Sequence, residues 1–483
     1  MGVSKREMSE MMQSRAKTVV RFTCVSCRAA INALIALIVL LAPGQLAAQQ
    51  SKQSSPLTLQ QAVTIALEKN PERKAALADS RAAAADVREA RSFLLPHATF
   101  SETATRGNDP VYVFGSNLRQ QGFTAADFAL NSLNTPSAFG NFATRFGGTW
   151  NLFDSFASWR GVNRAESVKD AAGHQLDRTD QEIVFRVVDS YYSVLLAKKQ
   201  LEVAEKAMDT ARAILDRSKN RFESGVAVES DYLSAQVRMA ARNQELIHAQ
   251  QDLELARAQL ITSMGVSTEN DFDPVDALAE RNFPLTSLEE AEKTALEMRP
   301  DLKRIRSEEE AQQLSVSIAK SSFGPRVNAF GSWEADNPTF VAGGGGNNWL
   351  AGLEVQFDLF QGGAKRAQLS HERALRDKVA ATREMATDAV RLEVRRAYYD
   401  VDAARRQIDV ARASIAEAQE SLRINQNRYD SGLSTISDLL AAEEAALRSQ
   451  SGYWEAVYRY LSGYACLELA SGTLNPQSPV VTP

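Results

Sequence analysis

The side chains that could do chemistry in this 483-residue chain are few and scattered. Cys24 and Cys27 have the C-x-x-C spacing of a redox or metal pair, but they sit in an N-terminal leader and leave with it. Cys466 then stands alone, so no intramolecular disulfide can form in an oxidising compartment. His97, His174, His248 and His371 lie far apart without H-x-x-x-H spacing, as packed or solvated residues do, not metal ligands. Gly343 to Gly346 has the composition of a phosphate-cradling loop, yet Asn347 and Asn348 follow where Gly-Lys-Ser/Thr is required, so a hairpin tip is expected. No Ser/His/Asp or Cys/His signature occurs. No catalytic residue, metal or cofactor is expected, and the chain reads as a non-enzyme. What stands out instead is a set in repeated places: Gly225 with Val226, Gly432 with Leu433, Asp231 with Asp438, and Tyr429. Their meaning depends on the elements that carry them.

The leader comes first. Lys5, Arg6, Arg15, Lys17, Arg21 and Arg28 make a basic region, Ala29 to Pro43 an apolar one, and Ala47 and Ala48 a small-residue site. That order is a secretory signal peptide over residues 1–48. A membrane anchor is disfavoured because the apolar stretch is shorter than the ~20 residues that span a bilayer as a helix. No cysteine follows at a lipoprotein-type cleavage position, so no lipid anchor is expected. Loss of the leader's six Lys/Arg and two Asp/Glu moves the formal charge from −5 to −9, which argues against a nucleic-acid partner. No later stretch approaches ~18 consecutive apolar residues, so entry into a membrane requires a closed β-barrel.

The rest of the chain is one unit written twice. At an offset of 229, Thr58 matches Ser287, Gln61 matches Glu290, Pro71 matches Pro300 and Pro96 matches Pro325. At an offset of 207, Leu152-Phe153 matches Leu359-Phe360, Tyr191-Tyr192 matches Tyr398-Tyr399, and Asn220-Arg221-Phe222-Glu223-Ser224-Gly225 matches Asn427-Arg428-Tyr429-Asp430-Ser431-Gly432. The first copy therefore carries 22 further residues between Pro96 and Leu152, where Asn108, Asp109, Pro110, Gly122, Asn134 and Pro136 give loop chemistry. The expected division is a first repeat over 49–265 (helix, β-hairpin, long helical hairpin), a linker over 266–285, a second repeat over 286–470 and a disordered tail over 471–483.

Each copy opens with a capping box, Thr58-x-x-Gln61 or Ser287-x-x-Glu290. The helix it starts is expected to reach Pro96 or Pro325, kinked near Pro71 and Pro300. Two long helices close each copy, joined at Gly225 or Gly432. Val184, Val188, Tyr191 and Leu195 step by 4-3-4, and Ile408, Ala411, Ile415, Ala418 and Leu422 by 3-4-3-4, the heptad-like spacing of helix on helix. A helix from about Arg164 to Phe222 would be nearly 90 Å long at roughly 1.5 Å per residue. Between them lie alternating stripes: Ala98, Phe100 and Ala104; Phe142, Thr144, Phe146, Gly148, Trp150 and Leu152; Val327, Ala329, Gly331 and Trp333; Trp349, Ala351, Leu353, Val355, Phe357 and Leu359. Period-two stripes with terminal aromatics suit transmembrane β-strands, and also a soluble antiparallel sheet with one wet face. Four strands cannot close a barrel alone, so either the sheet is soluble or several subunits pool their strands.

The double repeat, the Asn-Pro or Arg-Pro dipeptide, the Leu-Phe after a strand and the R-[FY]-x-x-G-x-x-x-x-x-D tip resemble the TolC-type outer-membrane efflux proteins over about Leu57 to Gly472. The resemblance implies a mainly α fold with a β-barrel part: a homotrimer with a twelve-stranded barrel in the outer membrane, four strands per subunit, continued by an α-helical tunnel in the periplasm. It implies the exit duct of an efflux or type I secretion system, with a periplasmic adaptor and an inner-membrane pump as partners and outer-membrane lipid around the barrel. At the tips it implies a link between Asp231 and Tyr429, a constriction lined by Asp438, and no second carboxylate ring, because Ala441 stands at that position. Asp231 and Asp438 also suit plain helix capping. Gly225-Val226 and Gly432-Leu433 are the expected adaptor contacts, an apolar residue after a turn glycine. The chain departs from the family's Leu-Phe-x-Gly-Gly pattern at Asp154-Ser155-Phe156, which puts the first strand-to-helix turn in question. A periplasmic coiled-coil adaptor or structural protein of an export system is the alternative; an adaptor should carry one hairpin and not two in register.

Overall fold

Each copy of the repeat begins with a helix that proline punctuation splits in two. The computed structural model describes residues 55–267, 269, 272–340 and 345–482, so the leader and part of the glycine run lie outside the described residues. Thr58 caps α1 (Leu59–Lys69) through the reciprocal box with Gln61, and Ser287 accepts from the Glu290 amide at the start of the equivalent helix. The expected kink at Pro71 is a full break. α1 ends at Asn70, and α2 (Pro71–Ser92) starts afresh with Pro71 in its first turn. The residue before proline is pushed out of the helical region, and proline suits the first helical position. Asn70 uses that conformation: its side chain accepts from the Glu72 amide at 2.9 Å and donates to the Ser263 carbonyl at 3.0 Å.

A first strand, β1 (Ser55–Leu57), pairs in parallel with β4 (Phe272–Pro274), which ties the start of copy one to the inter-repeat segment. The main sheet is antiparallel, in the order β2 (His97–Gly107), β3 (Phe139–Phe153), β5 (Arg326–Asn337), β6 (Gly346–Gln356). Between β2 and β3 the chain makes an excursion: α3 (Pro110–Arg119), a 3-10 turn (Ala125–Phe128) and α4 (Leu130–Asn134). The register aligns the paired residues of all four sequence stripes on one face; Leu152 falls at a register shift, and Phe357 and Leu359 lie past the end of β6. Phe100 sits opposite Phe146, Phe146 opposite Trp333 and Trp333 opposite Trp349; Trp150 faces Ala329, which faces Leu353. Phe100, Phe146, Trp349, Leu353 and Val355 are exposed on that face. The other face carries Ser101, Thr103, Arg145, Asn151, Asn328, Glu334, Asn348 and Glu354.

Two long helical hairpins complete the chain: α5 (Ala157–Glu223) with α6 (Glu229–Met264), and α9 (Ala364–Asp430) with α10 (Ile436–Ala470). Preceding the second hairpin, α7 (Leu288–Met298) and α8 (Pro300–Ser321) repeat α1 and α2. α5 and α9 have 67 residues each, about 100 Å at ~1.5 Å per residue. The turns into them differ in sequence but share a conformation. Gly362 and Gly363 have φ of +59° and +85°; Ser155 and Phe156, without glycine, have +59° and +66°. Side chains hold the costly pair in place. Ser155 donates to the Pro325 carbonyl at 2.9 Å, and the Phe153 and Phe156 rings meet edge to face at 5.4 Å.

The core runs along the seam where α1, α5, α6, α9 and α10 meet, through Val63, Ile183, Val187, Tyr191, Leu260, Val394, Val457 and Leu461. It also contains Leu474, Val480 and Val481. The expected disorder of residues 471–483 is therefore corrected for the described tail. Tyr192 donates to the Val480 carbonyl, Gln181 to the Gly472 carbonyl and Arg281 to that of Thr482. Apolar residues near a chain end dock when a groove accepts them, and composition does not reveal the groove. Among the described residues no helix is long and apolar enough to cross a membrane.

Candidate functional site at the helix tips

The two hairpin tips are built alike. After Glu223 the chain passes Ser224 to Gly225, whose φ is +75°; its amide donates to the Phe222 carbonyl and that of Val226 to the Arg221 carbonyl, both at 2.9 Å. Gly432, at φ +72°, repeats this: its amide bonds Tyr429 O at 3.0 Å, and Leu433 N bonds Arg428 O at 2.8 Å. This is the Schellman motif, which satisfies the last helical carbonyls and needs a left-handed residue. It leaves Val226 66% and Leu433 71% exposed, each at the extreme of its hairpin.

The helices that leave the tips start differently. Thr435 caps α10, and Asp438 closes a reciprocal box: its carboxylate accepts from Thr435 N at 3.0 Å and Thr435 Oγ1 at 2.7 Å, while its amide donates to Thr435 Oγ1. The Thr435 hydroxyl and amide, with Ser434, hold the Asp438 carboxyl below the usual aspartate range although it is exposed. A depressed carboxyl pKa stabilises the fold above the ordinary aspartate range, and that support is lost as pH falls through the folded-state value. In the first copy Val228 occupies the Thr435 position and offers no hydroxyl. Asp231 lies in the first turn of α6, near the helix dipole, with no side-chain hydrogen bond among the described residues. Two aspartates at equivalent positions are thus one locked and one unengaged.

Tyr429 is buried, and its hydroxyl lies 3.2 Å from Ser218 Oγ on α5. The expected link to Asp231 is absent within the protomer. The reason is packing: the ring points into a cluster of Ile214, Ala235, Ile436 and Leu439, which brings its hydroxyl against α5 and not against the first turn of α6. Arg221 completes the grip. Its guanidinium lies 5.0 Å from the Tyr429 ring centroid and donates to the Tyr429 and Asp430 carbonyls, both at 2.9 Å. A cation over a ring and at a helix C-terminus is favourable on both counts. Arg217 pairs with Asp430 at 3.1 Å alongside.

A second clasp lies farther from the tips. Arg242 of α6 and Glu443 of α10 are almost fully buried and pair at 3.2 Å; Arg242 also meets Glu444 at 2.7 Å and Glu245 at 2.6 Å, and Arg238 meets Glu444 at 3.1 Å. Burial pushes the Glu443 carboxyl up, against the pull of Arg242 and Arg238. In the sequence Arg221 stands out as part of the repeat and of its tip motif, while nothing there marks Ser218, Arg242 or Glu443. An arginine repeated at Arg221 and Arg428 was the available signal. Among the described residues no cluster of histidines, cysteines and carboxylates could hold a metal ion.

The sequence matches the outer membrane efflux protein family over residues 62–266 and 292–473. The chain belongs to that family. It is 24% identical to the outer membrane protein TolC of Escherichia coli K12 over 430 residues, 84% of this chain and 80% of that one. It is 25% identical over 317 residues to the alkaline protease secretion protein AprF of Pseudomonas aeruginosa, 61% of this chain and 62% of AprF. The fold is that of the outer membrane protein VceC of Vibrio cholerae (TM-score 0.74, 18% identity, covering 86% of this chain and 96% of that one). It is also that of the outer membrane channel CmeC of Campylobacter jejuni (TM-score 0.74, 19% identity, 87% of each chain). The protein is accordingly an outer-membrane exit duct for efflux or secretion, with a TolC-like fold that extends into the periplasm.

The Ser218–Tyr429 contact carries a direct test. A buried neutral hydrogen bond contributes about 0.5–1.5 kcal/mol net. Ser218→Ala and Tyr429→Phe should therefore be non-additive by that amount in thermal unfolding of the purified protein, with faster amide exchange at both tips. Strictly additive effects would show that the two hydroxyls do not bond.

Proposed function

We propose that three copies pool their sheets into one twelve-stranded barrel, and that the hairpins of the three form a periplasmic tunnel closed near its tips. The observation that carries this reading is the sheet: exposed apolar side chains on β2, β3 and β6 flank half-buried Val327, Ala329 and Trp333 of β5 on one face, and β2 and β6 are both open edges. Lipid accepts the first and forbids the second, since an unpaired edge leaves backbone groups unsatisfied. Joining β6 of one copy to β2 of the next removes every edge, and twelve strands is an even number, as in bacterial single-chain barrels. The polar face then lines the lumen. AprF is a secretion protein by name, which suits a duct that takes its cargo from a pump.

The tips receive the partner. Val226 and Leu433 are apolar, exposed and fixed by their Schellman turns, so they suit a periplasmic adaptor that links the duct to an inner-membrane pump. A Cβ on Gly225 would meet nothing within 4 Å, and on Gly432 only Arg221 Nη2 at 3.7 Å. Gly225→Asp and Gly432→Asp thus cost mainly the left-handed backbone, about 1–2 kcal/mol, and leave the hairpins folded. Both variants should assemble in the outer membrane and fail to export. Normal export by both would remove the docking role.

The gate sits just behind the tips, where Tyr429 and Arg221 bind the two hairpins and Asp231 and Asp438 bring carboxylates to the tunnel end. Three Asp438 carboxylates around a narrow axis would favour cations. Asp438→Asn keeps a side-chain acceptor for Thr435 and removes the charge. In a planar bilayer it should lower cation preference and weaken block by multivalent cations. Unchanged selectivity would reduce Asp438 to a helix cap.

A further inference from the structure

The 22 extra residues of the first copy do not stand clear of the sheet. The end of α3 is fastened to the sheet's polar face. Arg119 pairs with Glu334 at 3.1 Å, and Arg145 of β3 donates to the same carboxylate at 2.6 Å. Gln120 donates to Asn141 Oδ1 at 2.8 Å and to the Gly140 carbonyl at 3.0 Å. Asn348 donates to the Arg119 carbonyl at 3.3 Å. Glu334, Arg145, Asn141 and Asn348 all lie on the polar face by register. Beneath them Asp336 is fully buried and accepts from Asn141 Nδ2 at 2.6 Å.

The approach is close enough to require glycine. A Cβ on Gly346 would lie 1.8 Å from the Arg119 carbonyl oxygen and 2.8 Å from its carbon. The excursion also holds itself together: Phe114 packs edge to face on Phe123 at 4.9 Å, and Phe123 on Phe128 at 5.1 Å. Tyr112 ties its start to β2 through the Thr105 carbonyl at 2.9 Å. This is an ordered, side-chain-anchored element and not a trailing loop.

We propose that α3 is an inward-folded lid: in the assembled duct it lies against the lumen wall at the outer end of the barrel and sets an upper size on what passes there. This rests on the pooled barrel with its polar face inward. The lid lies at the ends of β2, β3, β5 and β6 farthest from the long helices, which is the extracellular end of such a barrel. An α-helix is about 10 Å across with its side chains. Three of them on one lumen wall occupy much of the bore, and ion pairs such as Arg119–Glu334 and Arg145–Glu334 hold charge of both signs at that level. The duct then has two constrictions in series, the periplasmic tips and an outer lid, with different chemistry.

The test uses thiol access from outside intact cells, in a Cys466→Ser background. Thr149→Cys reports from the polar face, about 13 Å farther along β3 than Arg145 at roughly 3.3 Å per residue. A small sulfonated thiol reagent should label it in every variant. A bulky polymer-linked maleimide should label it slowly with the lid intact. It should label faster by an order of magnitude when residues 110–137 are replaced by a short Gly-Ser turn, or when Arg119→Ala and Gln120→Ala release α3 without deleting it. Equal bulky-reagent rates with the lid intact and freed would overturn the lid while leaving the barrel in place. Failure of the small reagent in every variant would mean that the polar face lines no water-filled lumen, and the barrel reading would fall along with the lid.

Discussion

An antiparallel sheet of four strands leaves one row of unpaired amides and carbonyls along β2 and another along β6. In water those rows are solvated. In lipid each unsatisfied group costs several kcal/mol, and among the described residues no further strand pairs with either edge. The same sheet shows apolar side chains to its surroundings on β2, β3 and β6, so water is an unfavourable surrounding too. Most of the remaining architecture follows from this double constraint. On the proposed pooling, the strands find partners in other protomers, the helices that follow each hairpin leave the membrane together, and the repeat supplies two such helices per protomer at matching positions.

The helical part answers a different problem. Helices of 67 residues have no single globular core to hold them. Stability comes from a seam of small and β-branched residues where α5, α6, α9 and α10 meet, reinforced by β1, β4 and the docked tail. Toward the tips that seam thins to a cluster of five buried residues, and polar clasps take over: Tyr429 on Ser218, Arg221 on the end of α9, Arg242 on Glu443. For the gate proposed above, a seam that trades apolar burial for discrete polar contacts would let the tips open without unfolding the helices above them. Replacing such contacts costs a few kcal/mol in total, within reach of partner binding.

The sequence was most legible where a period encodes a face. The paired stripe residues from Ala98 to Val355 fall on one side of the sheet, because strand side chains alternate and the register is fixed by one buried or lipid-facing side; Leu152 sits at a register shift, and Phe357 and Leu359 lie beyond β6. The tip glycines were legible because only a left-handed residue ends a helix in this way. Other features depend on partners far away in sequence. The break at Asn70 needs Ser263 as well as Pro71, and the tail needs the groove beside Tyr192. Tyr429 was singled out, yet its partner within the protomer differs: Asp231 was expected, and packing against Ile214 and Leu439 turned the hydroxyl to Ser218. The turn at Ser155-Phe156 shows the converse, a glycine conformation built without glycine and held by side chains.

The pooled barrel is the claim on which the duct stands, and its edges can be linked covalently. Within one protomer β2 and β6 are separated by β3 and β5, about 14 Å at ~4.8 Å per strand, too far for a disulfide, which needs Cα atoms within about 7 Å. In a Cys466→Ser background, single cysteines scanned along β2 are paired with single cysteines along β6 and oxidised in isolated outer membranes. The account predicts that matched registers cross-link between chains and that the ladder on a denaturing gel stops at three. No cross-link at any register, or a ladder that runs on past three, would contradict it.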